Sequence, residues 1–87
     1  MKVVLKYTDC LQDGRKVFYV LGNSNAEILK TKQIGPTIYP KVTIRIKDNN
    51  ELRQLLSELN NMCTYEVRVV KVKSESGIIE RIKRIFE

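Results

Sequence analysis

The sequence contains no histidine, only two cysteines and no recognisable phosphate-binding loop, and each absence excludes a class of protein. Without histidine, the chain lacks the side chain that most often acts as a catalytic base near neutral pH. Cys10 and Cys63 alone cannot form a tetrahedral zinc site, and they are too far apart for a redox CxxC motif. Neither a GxxxxGK[ST] nor a GxGxxG motif occurs. We therefore expect a protein that is not an enzyme and has no catalytic residue, metal site or cofactor.

Long apolar runs are also missing. No segment approaches the roughly 18 consecutive apolar residues that a membrane-spanning helix needs. The N-terminal apolar stretch is short and is interrupted by Lys6, which argues against a signal peptide. A secreted domain of this size would ordinarily carry more disulfides than two cysteines allow. These features predict a cytoplasmic protein with no membrane partner.

The composition that remains is typical of one small globular domain. The chain has 87 residues, of which 43% are hydrophobic and 30% are charged. Alternating or β-branched and aromatic segments predict five strands. These predicted strands cover residues 2–7, 16–21, 26–32, 41–47 and 65–73.

Two further segments have apolar side chains on one helical face. The first begins with Asp48, and Glu51 follows three residues later in a capping-box pattern. The second covers residues 77–86. The predicted order is β-β-β-β-α-β-α, an α+β two-layer sandwich with a mixed, mostly antiparallel sheet and two helices on one face. Segments 41–47 and 65–73 are expected to run parallel, joined by a right-handed crossover through the first helix.

A polar cluster between the first two predicted strands admits two interpretations. Asp9 and Asp13 could form a carboxylate pair for a divalent ion, whereas Asp13 followed by Gly14 is also typical of a hairpin turn. A metal site needs further oxygen ligands, and the neighbouring sequence indicates none. We therefore interpret the cluster as a turn.

Positive charge is unevenly distributed along the chain. The net charge is +6, and residues 1–47 contain nine Lys and Arg against three Asp and Glu, while residues 48–87 contain seven of each kind. The sequence thus divides into a basic β region (1–47) and a charge-neutral helix-strand-helix region (48–87) within one domain. A one-sided basic surface favours polyanionic partners. Small domains commonly carry a net charge of about 2–8, so solubility alone is the alternative explanation.

The segment 41–47 predicts where this charge lies. Its apolar side chains alternate with Lys41, Thr43, Arg45 and Lys47, so that cations line one face if the apolar face packs under the helices. A one-residue slip of register would reverse this arrangement. Tyr39, in a proline-flanked loop, is the aromatic residue that we expect to be exposed, and the others are assigned to the core. The predicted nucleic-acid-binding residues are Lys2, Lys6, Lys16, Lys30, Lys32, Lys41, Arg45, Lys47 and Tyr39.

Two functional hypotheses follow. The first is a non-enzymatic binding module that contacts DNA or RNA through a basic sheet face. The alternative is a small interaction or inhibitor protein, of the kind that phages and mobile elements encode, whose basic face docks on an acidic protein partner. A third hypothesis is a homodimer in which exposed edge strands, at 2–7 or 26–32, pair with each other. Lysines along both strands disfavour such pairing.

Overall fold

A computed structural model describes residues 1–32 and 39–73, which form two helices and four strands. In chain order these are β1 (Lys2–Lys6), α1 (Asp13–Gly22), β2 (Glu27–Lys32), β3 (Lys41–Arg45), α2 (Asn49–Met62) and β4 (Arg68–Lys73). The predicted α+β sandwich is confirmed, but the order is β-α-β-β-α-β. The helix predicted at 77–86 lies outside the described residues.

The four strands form one sheet in the order β2-β3-β1-β4, and its three neighbouring pairs are all antiparallel. Since β3 and β4 are both antiparallel to β1, they run in the same direction, as predicted for the strand-helix-strand unit. They are not neighbours, however, because β1 lies between them. The prediction that residues 2–7 form an edge strand is therefore wrong, whereas β2 does lie at an edge.

The core lies between one face of the sheet and both helices. The central strands β1 and β3 alternate in burial, and their core-facing residues are fully buried. The buried apolar side chains of the sheet and helices are Val3, Leu5, Val42 and Ile44 from the central strands, Val17, Val20 and Leu21 from α1, and Leu52, Leu55 and Leu59 from α2. Both helices thus cover the same face, which leaves the opposite face for the polar side chains of each strand.

The segment 16–21, predicted as a central strand, is instead the middle of α1. Its β-branched and aromatic residues favour a strand locally. Val17, Val20 and Leu21 nevertheless repeat at helical spacing and are buried, whereas Tyr19 is 63% exposed. Burial of this helical stripe overrides the weak local preference. The hairpin turn predicted at Asp13 and Gly14 is also wrong, because both residues belong to α1, and β2 pairs with β3.

Helix α2 follows the prediction closely. The side chain of Asp48 accepts a hydrogen bond from the amide nitrogen of Glu51 at 2.9 Å, and the Glu51 carboxylate accepts one from the amide of Lys47 at 3.0 Å. This reciprocal arrangement satisfies two backbone donors at the start of the helix. The helix ends at Met62, whose side chain is exposed.

Candidate nucleic-acid interface

The sheet face that points away from the helices carries mostly cations. Residues paired directly across neighbouring antiparallel strands share a face, so the register defines three rows that cross all four strands. From β2 to β4 these rows are Lys32, Lys41, Lys6 and Arg68; Lys30, Thr43, Val4 and Lys71; and Glu27, Arg45, Lys2 and Lys73. Nine of the twelve side chains are cationic and one is acidic. We call these twelve positions the basic face.

Two β-bulges are what bring the edge-strand cations to this face. In β4 the register shifts beside Val70, and in β2 it shifts beside Leu29. Arg68 and Lys71 are three residues apart, so a regular strand would point them to opposite faces. The extra residue at the bulge shifts the alternation by one position, so that both side chains point to the same face. Glu27 and Lys30 are related in the same way across the bulge in β2.

Like charges lie directly opposite one another across this face. The first row consists of four cations, and in the third row Lys2 lies between Arg45 and Lys73. Opposed like charges destabilise a sheet, and cross-strand neighbours only about 5 Å apart are well within the screening length of about 8 Å at physiological salt. A surface selected for solubility alone would intersperse charges of both signs. The basic face instead concentrates charges of one sign.

Six of the predicted binding residues lie together on the basic face: Lys2, Lys6, Lys30, Lys32, Lys41 and Arg45. Lys47 lies just beyond the end of β3, where it lines a shallow depression with Glu27 and Arg45. Lys16 does not belong to this set, because the segment predicted as a strand is helix α1. Its ammonium group lies 3.5 Å from Asp13 Oδ1 and 3.4 Å from Thr64 Oγ1, on the helical side of the molecule.

Three residues of the basic face were missed from the sequence, namely Arg68, Lys71 and Lys73 of β4. Their charge is hidden in the count for residues 48–87, because acidic residues elsewhere in that region balance it. The division into a basic and a neutral half is therefore one of sequence only. In the fold, β4 lies beside β1 and adds its cations to those of the N-terminal strands.

Two ion pairs lie on or beside the basic face. Arg45 Nη1 lies 2.9 Å from Glu27 Oε2, which is the carboxylate of the one acidic residue among the twelve. Arg68 Nε lies 3.4 Å from Glu66 Oε1 at the start of β4. All four side chains are at least 42% exposed, so each pair contributes little to stability. The pairs orient the two arginines and leave the seven lysines as the main source of positive charge.

A cavity of about 340 Å³ lies at one end of the basic face. Its lining residues are Lys6, Tyr7, Thr8, Tyr39, Tyr65, Glu66 and Arg68. Tyr39 is 51% exposed, as predicted, and Tyr65 is 47% exposed, so its assignment to the core is wrong. The Lys6 ammonium lies 5.2 Å from the centroid of the Tyr39 ring, within the range of a cation–π contact.

Tyr7 also lines this cavity and is buried, as predicted. Its ring makes an edge-to-face contact with Phe18 at a centroid distance of 6.3 Å, which ties this end of the sheet to α1. Burial raises the pKa of Tyr7, and the nearby charge of Asp9 raises it further. The phenol is therefore neutral at physiological pH.

Asp13 does not lie in a turn, although the sequence had indicated one. It is the first residue of α1, is 1% exposed, and accepts hydrogen bonds from the amides of Thr64 on Oδ1 and Tyr65 on Oδ2, both at 2.9 Å. Burial alone would raise its pKa, but these two bonds and the charge of Lys16 outweigh burial and hold the pKa below its usual value. The carboxylate thereby fixes the backbone of the loop that carries Tyr65 into the cavity.

The two cysteines are separate free thiols. Cys63 is buried behind the start of α1, and burial raises the pKa of its thiol, with the charge of Asp13 adding to the effect and that of Lys16 opposing it. Cys10 is partly exposed. In residues 1–32 and 39–73, no group of three or more Cys, Asp or Glu side chains is placed to hold a metal ion.

Comparison with known proteins identifies the fold. No family model and no curated protein matches the sequence. Among solved structures, the chain is similar to the ACT domain of a GTP pyrophosphokinase from Chlorobium tepidum, with a TM-score of 0.59 and 14% sequence identity, over 79% of this chain and 94% of that one. The likeness concerns the fold alone. It shows that the described elements have the same βαββαβ arrangement as that ACT domain.

Among the helices of the described residues, none is long and apolar enough to cross a membrane. Helix α1 has 10 residues and α2 has 14, and both carry a polar face. A membrane-spanning helix needs about 20 predominantly apolar residues. Their amphipathic pattern matches the role that they have here, which is to cover one face of the sheet.

The repulsion within the basic face leads to a first prediction. Lys41 lies between Lys32 and Lys6, so Lys41→Glu converts two opposed like-charge pairs into two opposite-charge pairs. We expect this change to raise the Tm by about 2–5 °C at low ionic strength, with a smaller gain in high salt. Thermal unfolding followed by circular dichroism measures the effect. Arg53→Glu, on the exposed side of α2, is the control and should leave the Tm nearly unchanged. A Lys41→Glu protein with a lower Tm would contradict the prediction.

Proposed function

We propose that this protein is a non-enzymatic module that binds nucleic acid through the basic face. The observation that supports the proposal most strongly is the set of three rows, in which nine cations and one acid cross all four strands. Lysine and arginine side chains on such a surface can neutralise successive phosphates and release the counterions that surround them. Binding of this kind depends on charge and spacing, and it does not require contacts to the bases.

The composition of the basic face favours nucleic acid over an acidic protein partner. Protein interfaces usually contain a centre of aromatic and apolar anchors, and lysine is depleted there. Val4 is the one apolar residue among the twelve positions, and seven of the nine cations are lysines. Lysine is a strongly hydrated point charge that suits a phosphate oxygen in solvent. An acidic protein therefore remains the second candidate, and the same experiment tests it.

The proposal implies weak dependence on base sequence. In the described residues no helix lies on the basic face, so no recognition helix is placed to enter a major groove from it. The two arginines, which could form bidentate contacts with guanine, already lie beside Glu27 and Glu66. We therefore expect phosphate contacts to supply most of the affinity, with similar binding to oligonucleotides of different sequence.

The experiment is a fluorescence-anisotropy titration of the protein into labelled single-stranded and duplex DNA and RNA, at low and at near-physiological salt. We expect binding that weakens steeply and continuously as the salt concentration rises. Absence of binding to all four probes at low salt would contradict the proposal. An interaction with a polyglutamate peptide, together with no binding to any oligonucleotide, would support the acidic-protein alternative instead.

A further inference from the structure

The cavity at the end of the basic face differs from the rest of that face in being aromatic. Three of its lining residues are tyrosines, and the rings of Tyr39 and Tyr65 are each about half exposed. Buried or half-exposed aromatic rings that border a cavity offer flat apolar surfaces to a ligand. A volume of about 340 Å³ lies at the lower end of the range for small-ligand sites, which is about 300–1,000 Å³.

The cavity and the basic face share two residues. Lys6 and Arg68 belong to the first row of the basic face, and both also line the cavity. They are directly opposite one another on β1 and β4, so the cations continue without a break to the aromatic rings. A polyanion held along the first row would therefore place its neighbouring groups at the mouth of the cavity.

We propose that this cavity takes one unpaired nucleobase, stacked on Tyr39 or Tyr65, of a single strand whose phosphates lie on the basic face. The inference rests on the proposed function and makes it more specific, since it names single-stranded nucleic acid as the preferred partner. Stacking on an aromatic ring requires a base whose flat face is free, and a paired base within a duplex is already stacked on both sides. Proteins that bind single strands commonly combine such rings with a basic groove.

The surroundings of the two rings fit this role. The Lys6 ammonium lies over the Tyr39 ring, 5.2 Å from its centroid, where it can also contact the phosphate of the stacked nucleotide. The backbone amide of Tyr65 is fixed by the buried carboxylate of Asp13. The loop that carries Tyr65 is thus held in place by the fold, so that less conformational freedom is lost when a base stacks on that ring.

The test compares Tyr65→Leu with Tyr19→Leu, which makes the same change at an exposed tyrosine on α1, away from the basic face. We expect Tyr65→Leu to bind single-stranded oligonucleotides roughly tenfold more weakly than wild type, and to bind duplex as wild type does. Tyr39→Leu should show the same selective loss. Tyr65→Phe retains the ring and should retain the affinity. Circular dichroism confirms that each variant is folded.

A second readout reports stacking itself. The chain contains four tyrosines and no tryptophan, so tyrosine emission can be recorded directly. We expect a single strand to quench this emission in wild type and in Tyr19→Leu, and to quench it less in Tyr65→Leu. Equal loss of single-strand and duplex affinity, or unchanged binding by the folded Tyr39→Leu and Tyr65→Leu variants, would overturn the stacking site and leave the basic-face proposal intact. Failure of wild type to bind any oligonucleotide would overturn both.

Discussion

Replacing Lys41 and Lys71 together by glutamine is expected to weaken nucleic-acid binding by about 10- to 50-fold at near-physiological salt. Both lysines lie on the basic face, one on β3 and the other on β4, and both are exposed. In a counterion-release model each phosphate contact is worth roughly fivefold in affinity at this ionic strength, so that two contacts give this range. Anisotropy titrations with one labelled single strand measure the change.

The matched control removes the same charge from the helical side of the molecule. Arg15→Gln with Arg53→Gln changes two exposed cations on α1 and α2 and lowers the net charge by the same amount. We expect this control to lose no more than about twofold in affinity, because distant charges are largely screened. Equal losses for the two double variants would mean that total charge, and not the basic face, determines binding.

Asp13→Ala is expected to cause the largest loss of stability among single substitutions of polar residues described here, about 2–4 kcal/mol. The substitution removes both acceptors of the amides of Thr64 and Tyr65 and leaves these partly buried donors without their protein partner. Such a loss is a large fraction of the total stability of a small domain. Urea unfolding of both proteins at neutral pH, followed by circular dichroism, measures it.

Asp13→Asn is the conservative variant for the same site. It keeps one acceptor oxygen but turns the other position into a donor that faces an amide donor, so we expect an intermediate loss of stability. A loss for Asp13→Ala of less than about 0.5 kcal/mol would contradict the structural role assigned to the carboxylate. Because the loop held by Asp13 carries Tyr65, Asp13→Asn should also weaken single-strand binding at temperatures where the variant is folded.

The lowered pKa of Asp13 gives this stability a defined pH dependence. A carboxylate with a folded-state pKa below its usual value of 3.8 stabilises the fold fully above that value, and the contribution is lost as the pH falls through the folded-state pKa. The stability difference between wild type and Asp13→Asn should therefore be constant near neutrality and shrink below about pH 4. Urea unfolding at a series of pH values from 7 to 2 tests this. A difference that grows on acidification would contradict it.

The sequence predicted best those elements whose local and tertiary preferences agree. In α2 the capping pattern at Asp48, the leucine spacing and the burial of one face all favour the same helix. In β3 the strict alternation of apolar and polar residues fixed both the strand and the face that it buries. These two elements also gave the correct fold class and correctly placed Lys41 and Arg45 away from the core.

Helix α1 could not be predicted because local preference and tertiary burial disagree there. Its residues favour a strand. Its start also lacks a typical N-cap residue, since Gln12 precedes the helix with a φ of 66° and its side chain makes no capping hydrogen bond. Asp13 and Gly14, typical of a turn, begin the helix instead. Only the partner amides of Thr64 and Tyr65, distant in sequence, show what the carboxylate of Asp13 does.

The sequence did not predict the full extent of the basic face, for a different reason. The place of β4 beside β1 is a property of the topology, and the charge count for residues 48–87 conceals its cations. The bulge at Val70 also breaks the alternation on which a sequence argument depends, because it brings Arg68 and Lys71 to one face. Neither effect can be derived from the sequence of β4 alone.

The salt dependence of binding tests the central claim most directly, because it counts the phosphates that the protein neutralises. The dissociation constant for one single strand is measured at several salt concentrations for wild type, for the Lys41/Lys71 double glutamine variant and for the Arg15/Arg53 control. If the basic face holds the strand, the magnitude of the slope of log K against log salt falls by about 1.4 in the first variant and is unchanged in the control. Identical slopes for all three proteins would show that the strand binds elsewhere.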